Sequence, residues 1–149
     1  VHIGTDHAAY ELKEYLVTRL QDAGYEVADH GAHEYDSQDD YPRFCIPAAQ
    51  AVVDDAGSLG LVLGGSGNGE QIAANKVTGI RAALAYNTEI ARLAREHNDA
   101  NVLSLGGRMQ SHEEAWQMVE VFLTTEFTGE ERHQHRIDEF TTWEQTGRL

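Results

Sequence analysis

The stretch LGLVLGGSGNGEQIAANK, residues 59–76, runs from an apolar segment through a glycine-rich turn into a helical pattern. Residues 59–63 carry no polar side chain, which is the signature of a short strand buried on both faces. Four glycines occupy the next six positions, 64–69, and Glu70 follows them. A strand, a tight turn rich in bare backbone amides and a helix opening on a carboxylate form one βα unit. The rest of the chain repeats that alternation.

Towards the N-terminus, VHIG (1–4) is predicted as a strand and residues 8–24 as a helix. Leu12, Tyr15, Leu16, Leu20 and Ala23 share one face of that helix, and Gly24 suits its C-cap. YEVADHG (25–31) reads as a second strand and 32–40 as a polar, solvated loop. A helix then starts near Pro42 and ends near residue 57, with Pro47 a candidate kink. Beyond the glycine turn come a short helix at 69–76, strands at 80–86 and 101–107, and a helix at 88–97 with Ile90, Leu93 and Ala94 on one side. A helix at 111–125 opens on Ser111 with Glu114 three residues on, the pattern of a capping box. A last helix covers 129–147. Apolar strands alternating with helices give an α/β fold with a mainly parallel sheet, helices on both faces and an extra C-terminal helix. With 149 residues and no linker or repeat, one domain spanning 1–149 is expected.

Composition narrows the function. The net charge of −14 disfavours binding to nucleic acid or to anionic membrane, so any anionic ligand needs local cations. No stretch has the length of an apolar transmembrane span, and the first residues lack a signal-peptide pattern. The single cysteine, Cys45, has no intrachain partner. The expectation is a soluble, cytoplasmic protein.

In parallel sheets, ligands sit where the βα turns gather. The turns here are GTDHAA, GGSGNGE, YNTE and LGGRM, which carry Asp6, His7, Ser66, Glu70, Asn87 and Arg108. Asp6 and Ser66 also suit plain helix capping. The glycine turn lacks the lysine of a nucleotide-phosphate loop, the third glycine of a dinucleotide fingerprint and the closing glycine of a serine-hydrolase elbow. No histidine or cysteine spacing matches a metal site. What remains is a set of amides able to converge on an anion beside a carboxylate. That pairing suits removal of a proton next to a carbonyl, because the amides stabilise the oxyanion while the carboxylate carries the proton.

GTDHAAYELK, DYP, LVLGGSGNGEQIAANK, REHNDANVLSLGGR and ERHQHRID together resemble the sugar-phosphate isomerase family of ribose-5-phosphate isomerase B, which also contains allose-6-phosphate and galactose-6-phosphate isomerases. The resemblance runs over almost the whole chain. It implies a Rossmann-like three-layer sandwich, a metal-independent aldose–ketose isomerase without cofactor, and a homodimer or dimer-based oligomer with active sites at the subunit interface. Many members have a catalytic cysteine where this chain has Gly64, and threonine where it has Ser66. The chain instead resembles the actinobacterial-type branch, in which a glutamate at position 70 is the base.

The resemblance implies Glu70 as proton acceptor and His97 as the acid–base group that opens the furanose ring. Asp6, Ser66 and Asn98 would bind sugar hydroxyls, and the amides of Gly65, Ser66, Gly67, Asn68 and Gly69 would hold the enediolate. His7, Arg108, Arg132 and Arg136 would surround the phosphate. Read from spacing alone, Arg132 and Arg136 share a helical face, which serves either a phosphate clamp or a solvated surface paired with acids. His97 equally suits a helix C-cap. Ribose 5-phosphate is the expected substrate. A six-carbon sugar phosphate, or ligand binding without turnover, are the alternatives.

Overall fold

The computed structural model describes all residues 1–149. Five parallel strands, β1 (His2–Thr5), β2 (Ala28–Asp29), β3 (Gly60–Gly64), β4 (Ala82–Leu84) and β5 (Val102–Gly106), form one sheet in the order β2-β1-β3-β5-β4. Helices α1 (Tyr10–Asp22), α2 (Pro42–Asp54), α3 (Asn68–Ala74), α4 (Thr88–Asn98), α5 (His112–Thr124) and α6 (Glu131–Thr146) follow in turn. From β1 the chain moves outward to β2 and then returns to place β3 on the other side of β1. The turns after β1 and β3 therefore diverge over one crevice, at the switch point of the sheet.

Strand alternation builds the three layers. Ile3, Leu61, Leu63, Leu103 and Leu105 point to one side, where Leu12, Leu16 and Leu20 of α1 and Trp116, Val119 and Phe122 of α5 cover them. Val62, Ala82 and Val102 point to the other, against Cys45, Ala49 and Val52 of α2 and Ala73 and Ala74 of α3. The fold is the expected α/β, Rossmann-like sandwich. The capping box at Ser111 is present in both directions, Glu114 N–H to Ser111 Oγ at 3.1 Å and Ser111 N–H to Glu114 Oε2 at 2.8 Å. Pro47 lies inside α2, which continues past it. No helix is long and apolar enough to cross a membrane.

Three sequence expectations are corrected. Ala23 is exposed, because α1 has ended there and the chain reverses at Gly24 with φ +89°. The reversal donates Tyr25 N–H to Leu20 C=O at 3.0 Å, and Tyr25 takes the place on the core expected for Ala23. The second strand is only Ala28–Asp29, since it is an edge strand with β1 as sole neighbour. Strand β4, the opposite edge, keeps only Ala82–Leu84 of the expected 80–86.

The glycine turn is fixed by sterics. Gly67 has φ +84°, and a Cβ there would lie 2.9 Å from Leu105 C and 3.1 Å from Gly106 N, both immobile strand backbone. Its carbonyl accepts a hydrogen bond from buried Ser104 Oγ at 2.7 Å. Gly67→Ala is therefore expected to lower unfolding stability by more than about 1 kcal/mol, the usual penalty for alanine at positive φ. Urea denaturation with an unchanged midpoint would show that the turn has room to relax.

Candidate active site

The β1 and β3 turns and the turn after β5 enclose a pocket of about 570 Å³, walled by Asp6, His7, Tyr41, Gly65, Ser66, Gly69, Glu70 and Arg108, with Ala8 and Met109. Asp6 follows β1 directly and does two jobs, accepting the Ala8 N–H at 2.9 Å and forming a wall of the pocket. Capping and site membership are thus not alternatives for it. Asn87, by contrast, only caps α4, with Oδ1 accepting the Ile90 N–H at 2.8 Å, and takes no part in the pocket.

Glu70 is 4 % exposed. A Cβ built on Gly64 would fall 1.8 Å from Glu70 Oε1 and 2.1 Å from its Cδ. The glutamate carboxylate therefore fills the space into which a side chain at position 64 would project. Burial pushes the Glu70 pKa above its ordinary 4.5; its own amide opposes the rise and nearby Asp6 adds to it. Burial likewise raises the Asp6 pKa, against the Ala8 amide and His7. The helix-end amides that would make Glu70 a weak base are outweighed by desolvation, the offset that a base working near neutrality requires.

Beside this carboxylate, the N–H groups of Gly65, Ser66 and Gly69 donate to no protein acceptor. The Asn68 N–H and its side-chain amide both turn to Ser66 Oγ, at 3.3 and 3.2 Å, so Asn68 shapes the loop and lies outside the pocket wall. Gly67 lies beneath the loop, buried against β5. Arg108 makes no ion pair, and its Nη1 lies 3.5 Å from where a Cβ on Gly65 would stand. A free guanidinium at the mouth of an acidic pocket is the local cation that the overall charge made necessary. The Tyr41 ring packs over Gly69, where a Cβ would meet it at 2.5 Å.

The remaining expected residues are elsewhere in the chain. His97 and Asn98 close α4, which ends on left-handed Asp99, φ 44°, held by Arg81 and Arg95 at 3.0 and 2.8 Å. The His97 ring stacks on His133 of α6 with centroids 4.3 Å apart. Arg132 is exposed and paired with Glu130 at 2.9 Å, while Arg136 is exposed without an ion pair. Asn98 borders a second hollow of about 600 Å³ between β4 and α6, lined by Ile80, Leu84, Ile137, Phe140 and Trp143. That hollow is larger and more apolar, and has none of the carboxylate–amide arrangement of the first.

One participant escaped the sequence. Asp39, in the loop expected to be solvated, turns its largely covered side chain onto His7, and the polar atoms of Asp6, His7 and Asp39 come within 4.8 Å of one another. No spacing rule connects a residue of a polar loop to a histidine 32 positions earlier in the first βα turn.

Residues 1–140 match the model of the ribose/galactose isomerase family. The chain belongs to that family. Ribose-5-phosphate isomerase B of Mycobacterium leprae and that of Mycobacterium tuberculosis are each 54 % identical to it over 146 residues, 98 % of this chain and 90 % of theirs. Among solved structures of the ribose/galactose isomerases, ribose-5-phosphate isomerase B of Clostridium thermocellum superposes with a TM-score of 0.93 at 42 % identity over 99 % of this chain and 98 % of the other. That of Mycoplasma genitalium, solved with bound ribulose-5-phosphate, gives 0.94 at 38 % identity over 97 % and 95 %.

Because the Glu70 carboxylate and a side chain at position 64 compete for one space, Gly64→Ala is expected to displace the carboxylate. Its kcat should fall by about a hundredfold or more, the scale of a lost proton-transfer group, whereas Cys45→Ser should leave kcat unchanged. Cys45 is fully buried in the α2 face and burial pushes its thiol far up, which disfavours the reactive thiolate. Normal turnover by Gly64→Ala would contradict the assignment.

Proposed function

We propose that the protein interconverts ribose 5-phosphate and ribulose 5-phosphate through a cis-enediolate, as a single domain acting in the cytoplasm, where phosphorylated sugars are retained. The observation that carries this reading is the buried Glu70 carboxylate set against the unengaged amides of Gly65, Ser66 and Gly69. The ribulose-5-phosphate bound by the Mycoplasma genitalium relative supports the choice of substrate.

Glu70 removes the proton from C2 of the open-chain aldose. The C2 electron pair forms the C1=C2 bond, and the negative charge moves to O1, within reach of the amides. Return of that proton from Glu70 to C1, with transfer of the O2 proton to O1, yields the ketose. Asp6 and Ser66 bind sugar hydroxyls, and His7 and Arg108 face the phosphate. His97 opens the furanose by moving the O1 proton to the ring oxygen. No metal or cofactor is required, since the enediolate charge is met by N–H dipoles.

His97, Asn98, Arg132 and Arg136 reach this site from a second copy of the chain. The exposure of Asn98, Arg132 and Arg136 on α4 and α6 supports that reading, as does the apolar hollow beside them, with Phe140 50 % and Trp143 57 % exposed. A twofold interface would use such a surface twice and complete two sites.

Two measurements test the proposal. Turnover of ribose 5-phosphate is expected to exceed that of allose and galactose 6-phosphates and to survive EDTA; a six-carbon preference, or loss in EDTA with rescue by a divalent ion, would overturn it. Glu70→Gln and His97→Ala proteins, each nearly inactive, are expected to regain roughly a quarter of wild-type activity when mixed under exchange, because half the dimers are mixed and each has one intact site. Verified exchange without recovery would place both residues in one chain's site.

A further inference from the structure

Asp39 stands among solvated acids, with Asp36 and Asp40 exposed, yet its own side chain is only 10 % exposed. Its Oδ1 accepts two hydrogen bonds from one residue, the His7 backbone N–H at 2.9 Å and the His7 ring Nδ1 at 2.7 Å. Its Oδ2 is buried without a donor, and neither lysine nor arginine pairs with it. A buried carboxylate with an unsatisfied oxygen costs stability. Every polar contact the side chain makes is to His7.

A carboxylate on Nδ1 does two things to an imidazole. It fixes the tautomer, so that Nδ1 keeps its proton and Nε2 is the nitrogen that titrates. It also favours the imidazolium, in which Nε2 is a donor rather than an acceptor. His7 lines the pocket, and its Nε2 makes no hydrogen bond within the protein. The groups around it are Asp6 from its own turn, Asp39 from the β2–α2 loop, Arg108 from the turn after β5, and the Tyr35 ring, perpendicular to the imidazole with centroids 6.1 Å apart. Their sum raises the His7 pKa above 6.5: the Asp39 hydrogen bond is the largest cause, burial opposes it, Asp6 assists and Arg108 resists.

We propose that Asp39 is a positioning residue for substrate binding, holding His7 so that a protonated Nε2 is presented to the substrate phosphate alongside Arg108. This rests on the sugar-phosphate reading above. It makes phosphate affinity depend on the charge state of one histidine, set by a carboxylate that never touches the ligand. A neutral His7 would present an acceptor lone pair to an anion.

The experiment compares wild type, Asp39→Asn, His7→Gln and the double variant with ribose 5-phosphate across the pH range in which histidine titrates. Asparagine preserves shape and an acceptor oxygen and removes the charge. At acid pH, below both His7 pKa values, the KM of Asp39→Asn is expected to equal that of wild type. Between the two values it rises, by on the order of tenfold for each pK unit that the carboxylate supplies, with kcat changed less than about twofold because the reacting carbons are remote from the phosphate. In the His7→Gln background the Asp39 substitution adds nothing. The ionisation of the phosphate itself is common to all four proteins and cancels in the ratios. A KM defect independent of pH, a fall in kcat alone, or an equal effect with and without His7 would each overturn the proposal. NMR titration of the His7 ring in the ligand-free protein, repeated with inorganic phosphate, separates this inference from the activity. A lower His7 pKa and weaker phosphate binding in Asp39→Asn support it, and identical titrations refute it. Failure of the wild type to isomerise ribose 5-phosphate would instead refute the proposed function, with the NMR result still deciding the role of Asp39.

Discussion

The overlap between the Glu70 carboxylate and the missing side chain of Gly64 is the constraint on which the site depends. With Oε1 only 1.8 Å from where a Cβ would stand, position 64 admits glycine alone while Glu70 keeps its place. The family resemblance brings a cysteine at position 64 in many members, and the two arrangements are physically exclusive: the last residue of the strand supplies the reactive group, or it vanishes so that the first turn of the next helix can supply it. That exchange carries requirements with it. Helix α3 must start close enough to β3 for its carboxylate to fold back, and Gly67 at φ +84°, pressed against β5 backbone, makes the sharp entry.

The same placement trades stability for reactivity. Glu70 and Asp6 are both buried, and burial raises the pKa of each, with Asp6 adding to the rise at Glu70 and Asp39 to that at Asp6. A carboxyl group whose pKa is higher folded than unfolded favours the fold while it is protonated, and that contribution is lost as pH rises through the folded value. At neutral pH both groups therefore work against the fold. The two apolar layers on either side of the sheet outweigh them, with Leu61, Leu63, Val62, Leu103 and Leu105 all fully buried behind the turns.

Much of this was legible in the sequence because it rests on local periodicity and turn chemistry. The apolar strand, the capping box at Ser111 and the turn at Gly24 that follows α1 are short-range patterns; the strand is shifted by one residue, to Gly60–Gly64, and α1 stops short of Ala23. Pairing of Asp6, His7, Glu70 and Arg108 followed from their positions at the carboxyl ends of strands, where a parallel sheet gathers its turns. The failures are equally physical. Asn87 occupies such a turn but spends its side chain on the α4 amides. Asp39 belongs to a loop whose composition says solvent, while its burial is decided by contact with a residue 32 positions earlier. His97, Asn98, Arg132 and Arg136 owe their expected roles to family resemblance, since nothing in one chain's periodicity tells which exposed side chains meet a second copy.

The central claim is that Glu70, and no thiol, moves the proton. It is tested most directly by the steady-state kinetics of Glu70→Gln, with circular dichroism confirming a native fold. The account predicts a kcat lower by about a hundredfold or more and a KM within about threefold of wild type, because the amide keeps the shape and loses only the base. A kcat within about threefold of wild type in the folded variant would contradict it.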